Sequence, residues 1–387
     1  MLADFEFFTA TPVVFGAGRL QSLDRELHRL GEGRLLIVTD QGVVGAGLLA
    51  ALTAVLERAG REYAVFADVE PNPSVETVQR GEALLREAGC SALLAIRGGS
   101  AIDAAKAIGI LARNEPPLQR YEGANKFPNA PLPVIAIPTT AGTGSEVTMS
   151  AVITDRARRY KMSIRGTAVA PRLALLDPRL LSSLPAGVAA ATGMDALTHA
   201  VEAHVSLWAA PPAQALALHA IAMIAGHLRP FVANRGHAAA AGSMLVASTL
   251  AGAAFAHARV GVVHAMAHPL GGRYDVPHGV ANAIVLPYAM EYNLIACPER
   301  FAQISRALGE QIDGLTTLEA ARCAVDAVRR LAVDIGIPLT LRATAAREDG
   351  IADMAGDAME GGLALTNPRT VTFDDVSALY KRAFGAI

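Results

Sequence analysis

The amino-acid sequence predicts two successive domains. The first is α/β, built on a doubly wound, Rossmann-like parallel sheet, and the second is an all-α helical domain. Three observations carry this. Through the first half of the 387 residues, short β-rich runs alternate with helix-length segments, the pattern of parallel strands joined by crossover helices. After "DPRLLSSLPAG" strand-like alternation nearly disappears, and alanine- and leucine-rich segments of helical length follow one another. All histidines except His28 lie in that second half. The boundary is expected at Leu184–Pro185, giving domains of residues 1–185 and 186–387.

In chain order, "RLLIVTD" (34–40) predicts a strand and "GLLAALTAVLERAG" (47–60) the helix that follows it. "YAVFADV" (63–69) and "SVETVQRGEALLREAG" (74–89) repeat the pair. "ALLAI" (92–96), "AIDAAKAIGILARN" (101–114) and "LPVIAIPTT" (132–140) complete the series. In "MSAVITDRARRYKMSIRG" (149–166), β-branched residues flank a charged turn, which predicts a hairpin.

Composition narrows the function. Hydrophobic residues make up 52% and charged residues 18% of the chain, enough apolar material for a packed core and not the composition of a disordered chain. A net charge of -2 supplies no basic field to recruit nucleic acid or an anionic membrane. Cys90, Cys297 and Cys323 are widely separated, so they form no C-x-x-C and fit a reducing cytoplasm. The N-terminus places Asp4 and Glu6 where a signal peptide needs basic and then apolar residues. Residues 238–256 carry no charge, but alanine, glycine, serine and threonine dominate them. They read as a helix buried inside protein and not as a membrane span.

The histidines supply the first chemistry. Asp195 and His199 in "TGMDALTHAVEAH" are four apart, as are His264 and His268, and His278 follows after "GGRYDVP". Positions i and i+4 share one helix face. One carboxylate and several imidazoles on separate helices can converge on a divalent transition metal such as Fe²⁺ or Zn²⁺. The spacing permits convergence without requiring it, since each histidine can equally be satisfied alone. His204, His219, His227 and His237 lack comparable partners.

The α/β half offers two loops at strand ends. In "RGGSAIDAAKA", Gly98 and Gly99 let backbone approach a phosphate, and Ser100 opens a helix whose free N–H groups favour anions. "PTTAGTGSE" adds Thr139, Thr140, Thr143 and Ser145. Strand C-termini are where an open α/β sheet binds ligands, though any such connection is rich in Gly, Ser and Thr. G-x-G-x-x-G is absent after the first strand. Asp40 ends that strand, where a carboxylate can accept bonds from an adenosine ribose or equally cap a turn.

Together "VVFGAG", "PNPS", "GGSAIDAAKA", "IPTTAGTGSEVT", "DPRLLSSLP", "GMDALTHAVEA", "HAMAHPLGGRYDVPHGVANA" and "TNPR" resemble the iron-containing (group III) alcohol dehydrogenase family over nearly the whole chain. The resemblance implies a dehydroquinate-synthase-like fold and an enzyme that interconverts a small primary alcohol and its aldehyde. It implies NAD as cofactor, with NADP not excluded, and Fe²⁺, with Zn²⁺ an alternative. The family's metal ligands fall on Asp195, His199, His264 and His278. Its proton-relay position falls on His268. Its cofactor contacts fall on Asp40, Asn72, Gly98, Gly99, Ser100, Asp103, Thr139, Thr140, Thr143, Lys161 and Leu180. The implied ion polarises an alcohol or carbonyl oxygen while the nicotinamide exchanges a hydride. A homodimer or higher homo-oligomer is expected, with the "FEFFTATPVVF" segment as its contact.

Two departures bear on specificity. Arg97 stands where the family usually has the first glycine of G-G-G-S, and an arginine there can contact a phosphate or crowd the loop. In "AFAHARVG", Phe255 is followed by His257 in place of an asparagine and by the added cation of Arg259. With Ser150, these define the expected substrate pocket, and Arg259 suits a substrate bearing an acid group. Three alternatives stay open: a maleylacetate-reductase-like enzyme, a dehydroquinate-synthase-like lyase, and a non-catalytic nucleotide- or metal-binding protein.

Overall fold

The protein is described from a computed structural model covering residues 4–158 and 160–385. It divides into two units at Leu184/Pro185, where the sequence texture changes.

The α/β unit begins at Phe8. Its strands are β1 (Val13–Phe15), β2 (Arg34–Val38), β3 (Tyr63–Phe66), β4 (Cys90–Arg97), β5 (Gly123–Ala124), β6 (Val134–Pro138), β7 (Ser150–Asp155), β8 (Tyr160–Arg165) and β9 (Leu173–Leu176). Its helices are α1 (Gln41–Gly45), α2 (Leu48–Arg58), α3 (Val75–Glu87) and α4 (Gly99–Leu111), with a 3-10 segment at Arg19–Leu30. Six strands form one sheet in the order β1-β9-β6-β4-β2-β3, every pair parallel. From β2 the chain crosses outward to β3, then returns past β2 to β4 and continues to β6. Right-handed crossovers running in opposite directions put their helices on opposite faces. The crevice where the direction reverses therefore lies between the C-terminal ends of β2 and β4.

The inner strands are apolar on both faces, as a covered parallel sheet requires. Leu36, Val38, Leu93 and Ala95 pack with Ile102, Ala105 and Ile108 of α4 and Val78 of α3 in one core. Gly81 of α3 permits that approach, because a Cβ there would lie 2.4 Å from Ile108 Cδ1. The predicted hairpin forms: β7 and β8 pair antiparallel, with β5 beside β8 in a separate three-stranded sheet. β1 and β9, which composition alone did not single out, add the far edge of the large sheet.

The helical unit runs from Pro185 and takes in the N-terminal segment ending at Phe7, whose ring lies 4.5 Å from that of His257. The first domain of the sequence reading began earlier, at residue 1. The helices are α5 (Ala186–Val205), α6 (Pro211–Ala233), α7 (Ala238–Ala258), α8 (Val262–Tyr274), α9 (His278–Asn293), α10 (Pro298–Ala307), α11 (Thr317–Asp334), α12 (Ile351–Glu360) and α13 (Phe373–Ala383). α11 and α13 start on capping boxes, Thr316 with Glu319 and Thr372 with Asp375. The uncharged stretch is α7, long and apolar enough to cross a membrane but packed against α5 and α6. α6 passes the same length and composition test.

Small residues let α5 sit close to its neighbours. A Cβ on Gly193 would lie 2.2 Å from Leu228 of α6, and one on Gly279 of α9 would lie 2.2 Å from the Ala191 carbonyl oxygen. The second approach brings the start of α9 against the face of α5 that carries Asp195. The two glycines that precede His278 form no turn. Gly271 and Gly272 lie inside α8, and the chain reverses at Asp275, in the left-handed region at φ 53°. Aspartate tolerates that conformation better than most residues.

Candidate active site

Within the helical unit, Asp195 and His199 share one face of α5, His264 projects from α8, and His278 is the first residue of α9. Ligand atoms of Asp195, His199 and His264 lie within 4.8 Å of one another, and all three side chains are buried. His264 Nε2 is 3.8 Å and His278 Nε2 3.7 Å from Asp195 Oδ1, and His199 Nδ1 is 4.0 Å from Asp195 Oδ2. Ligands at about 2.1 Å from a tetrahedral ion are about 3.4 Å apart, so the three pairs just named are a few tenths of an ångström too wide, and the widest spacing in the cluster leaves up to about 1.4 Å to close.

The amide of Asn282 marks the common point. Its Nδ2 lies 2.7 Å from Asp195 Oδ1 and 3.2 Å from both His264 Nε2 and His278 Nε2. Three acceptor atoms thus converge on a group with two protons to give, while Asn282 Oδ1 is buried without a hydrogen-bond partner. Acceptors crowded around one point are a donor set that could hold a cation.

Glu202 orients the cluster. Its Oε2 is 2.5 Å from His264 Nδ1, and its Oε1 accepts from Val263 N at 2.7 Å. The carboxylate therefore caps the first turn of α8, whose N-cap Gly261 has no side chain to do so. A carboxylate there accepts a proton held on Nδ1, the tautomer that keeps Nε2 as the acceptor facing Asp195. A Cβ on Gly261 would stand 3.1 Å from Glu202 Oε1, so a larger residue there would push on that carboxylate. The sequence reading missed Glu202 and Asn282. Helical spacing was the available signal: Glu202 follows His199 by three and Asn282 follows His278 by four.

His268, one turn beyond His264 and half-buried, has its ring centroid 5.7 Å from that of His278. Phe255 stacks on His199 at 4.3 Å, so that expected pocket residue does meet the cluster. His257 turns to Phe7, and the Arg259 guanidinium lies 4.6 Å from the centre of the Trp208 ring. This placement engages the face of the Arg259 cation with an exposed indole. Ser150 belongs to the α/β unit, where its carbonyl accepts from Lys106 Nζ at 2.9 Å.

In the α/β unit the two glycine-bearing loops pack on each other. A Cβ on Gly98 would lie 2.6 Å from Thr140 Oγ1, and one on Gly99 2.8 Å from Thr143 Cγ2. The glycines thus admit the threonines as well as opening backbone at the start of α4, whose N-terminus has no side-chain cap. Ser100 lies in the first turn of α4, and Thr139 N bonds to Arg97 O at 3.1 Å. Asp103 accepts from Ser145 Oγ at 2.5 Å and Val152 N at 3.0 Å, and burial pushes its carboxyl up. The fully buried Lys106 donates to the carbonyls of Ser145, Thr148 and Ser150 and to the hydroxyls of Ser145 and Thr148. Burial brings its ammonium down to about 8.

Asn72, at φ 54°, accepts from Lys161 Nζ at 2.8 Å. Hairpin register brings them together: Thr154 lies opposite Lys161 and also bridges Ser74. Leu180 is buried in a 3-10 turn, Pro178–Leu181. Asp40 accepts from Val43 N at 2.9 Å, capping α1, and also pairs with Arg97. Both sequence readings of Asp40 had left this second partner out.

Comparison with known proteins decides the family. A profile described as iron-containing alcohol dehydrogenase matches residues 10–178, and one for the C-terminal part of the same family matches residues 189–384. The chain belongs to the iron-containing alcohol dehydrogenase family. It is 42% identical to 1,3-propanediol dehydrogenase of Klebsiella pneumoniae over 98% of this chain and 99% of that one. It is 38% identical to NAD-dependent methanol dehydrogenase of Bacillus methanolicus, over 97% and 99%. A crystal structure of 1,3-propanediol oxidoreductase superposes with a TM-score of 0.96 at 42% identity, covering 99% of this chain and 100% of that one. The fold is therefore that of the iron-type enzymes, and the chain is an oxidoreductase of that family.

Proposed function

We propose that this family member is a metal-dependent, nicotinamide-linked enzyme that interconverts small primary alcohols and aldehydes. The observation that carries the reading is the convergence of Asp195 Oδ1, His264 Nε2 and His278 Nε2 on the Asn282 amide nitrogen. Asp195, His199, His264 and His278 are the proposed ligands of Fe²⁺, with Zn²⁺ an alternative that the same atoms accept. When bound, the ion supplies Lewis acidity to the substrate oxygen and the nicotinamide exchanges the hydride.

The chain's own residues do the rest. Glu202 keeps the proton on His264 Nδ1 and so directs Nε2 inward. Phe255 walls the His199 side of the cluster with an apolar ring. His268 is the proposed proton relay. On the dinucleotide side the residues fit a phosphate: the uncapped start of α4 offers N–H groups beside the Thr140 and Thr143 hydroxyls. Asp40, Asn72, Gly98, Gly99, Ser100, Asp103, Thr139, Lys161 and Leu180 complete the proposed cofactor set. Asp103 and Lys106 brace the second loop. A neutral substrate is favoured over an acid-bearing one by the stacking of Arg259 on Trp208.

We place the enzyme in the cytoplasm, as the free thiols of Cys90, Cys297 and Cys323 suit. A homo-oligomer is proposed because the edge strand β1 leaves Val13 and Phe15 exposed. The test is nicotinamide absorbance with a panel of small alcohols and aldehydes, with metal content measured on the same sample. Turnover is expected to vanish on chelation and return with Fe²⁺ or Zn²⁺. Activity surviving full metal removal would support a maleylacetate-reductase-like enzyme instead. Phosphate release from a phosphorylated sugar acid would support the lyase.

A further inference from the structure

At the reversal crevice of the large sheet, the Arg97 guanidinium closes on the Asp40 carboxylate. The two residues end adjacent strands, since Val38 of β2 lies opposite Ala95 of β4. Asp40 uses one oxygen to cap α1 and the other for Arg97. Neither side chain is sealed off: Arg97 is 20% and Asp40 17% exposed, so a ligand in the crevice meets both. We infer that Arg97 cancels the selectivity of Asp40 against a 2′-phosphate, so that this chain binds NADP(H) as well as NAD(H).

The effect is electrostatic. A lone carboxylate at this position accepts from the adenosine ribose hydroxyls and repels a phosphate esterified to one of them. Like charges a few ångströms apart repel strongly at a partly buried position, where water screens them less. An unpaired Asp40 therefore excludes a 2′-phosphate decisively. Paired with Arg97, the same position carries no net charge, and the guanidinium can turn its remaining N–H groups to the phosphate in a forked contact. The ribose hydroxyls still find Asp40, so NAD(H) keeps its acceptor. The inference rests on the proposed nicotinamide dinucleotide site.

Calorimetric titration of the holoenzyme with NADH and NADPH tests it without turnover. Wild type is expected to bind the two with Kd values within about tenfold of each other, and the NADPH Kd is expected to rise more steeply with added salt. Arg97→Gly is expected to weaken NADPH by about tenfold or more, as loss of a charge-assisted contact does, and to leave NADH within about threefold. Arg97→Lys keeps the charge and retains most NADPH binding. Asp40→Asn tightens NADPH and weakens NADH, a reciprocal change that holds even if Arg97→Gly misfolds. Wild-type preference for NADH of about a hundredfold or more overturns the inference. So does equal weakening of both cofactors by Arg97→Gly, because the arginine would then serve the shared pyrophosphate. If no nicotinamide dinucleotide binds to any of these proteins, the proposed cofactor site itself falls.

Discussion

Glu202 Oε2 stands 2.5 Å from His264 Nδ1, inside the helical unit and seven residues along α5 from Asp195. A metal-binding imidazole whose far nitrogen is held by a carboxylate has its tautomer and ring plane set, and loss of such partners costs about 10–100-fold in metal affinity. Glu202→Gln keeps the size and can still bond, but removes the charge. It is expected to weaken metal binding by about tenfold, read by competition with a chromophoric chelator. Unchanged affinity would mean that α8 packing alone orients His264.

His268 lies on the ligand face of α8 yet is assigned no metal bond. His268→Ala is expected to retain full metal content while kcat falls by about a hundredfold, the usual scale for a lost proton-transfer group. Metal loss in that variant would instead make His268 a ligand.

Lys106 ties five acceptor atoms of Ser145, Thr148 and Ser150, at the end of the second cofactor loop and just beyond it, to α4. Lys106→Met fills the space but strands those acceptors. Since each buried unsatisfied group costs about 1–3 kcal/mol, the variant is expected to lose about 3 kcal/mol or more of stability by denaturant unfolding. Dinucleotide affinity should fall with it, because Thr143 and Ser145 lie in the segment that Lys106 holds. Stability equal to wild type would show that the released desolvation cost of the ammonium offsets the lost bonds.

His204 is buried beside Gln303, its Nε2 3.0 Å from Oε1, and burial lowers its pKa from 6.5 to about 4. The folded state therefore stays neutral where the unfolded chain takes up a proton. Stability from this group is full above pH 6.5, falls as the pH drops toward 4, and levels below that. The difference corresponds to about 3 kcal/mol. His204→Gln, which cannot be protonated, should flatten that part of the pH–stability curve in denaturant titrations. An identical slope in the variant would assign the acid loss to other groups.

Arg259→Ala removes the cation stacked on Trp208. The ratio of kcat/KM for neutral and acid-bearing aldehydes is expected to stay within about threefold of wild type, since a surface cation–π contact contributes only about 0.5–1 kcal/mol. A loss confined to acidic substrates would return Arg259 to the substrate site.

Local pattern determined much of this protein. Alternating strands and helices of β2 to β6 follow from side-chain periodicity, as does the long helical second half, and both periods are written in consecutive residues. The i,i+4 spacing put Asp195 with His199 on one face of α5, because helix geometry relates neighbours on the same element. Tertiary structure alone decided what crosses between elements. Gly279 against Ala191 sets the approach of α9 to α5, and with it the meeting of His278 and Asn282 with Asp195. The same is true of Glu202 on His264, of Arg97 on Asp40, and of Arg259 on Trp208. These contacts join residues from 51 to 88 positions apart, or place two strand ends side by side, so no window of sequence holds both partners. Packing distance, not spacing along the chain, governs how strongly such charges and hydrogen bonds act.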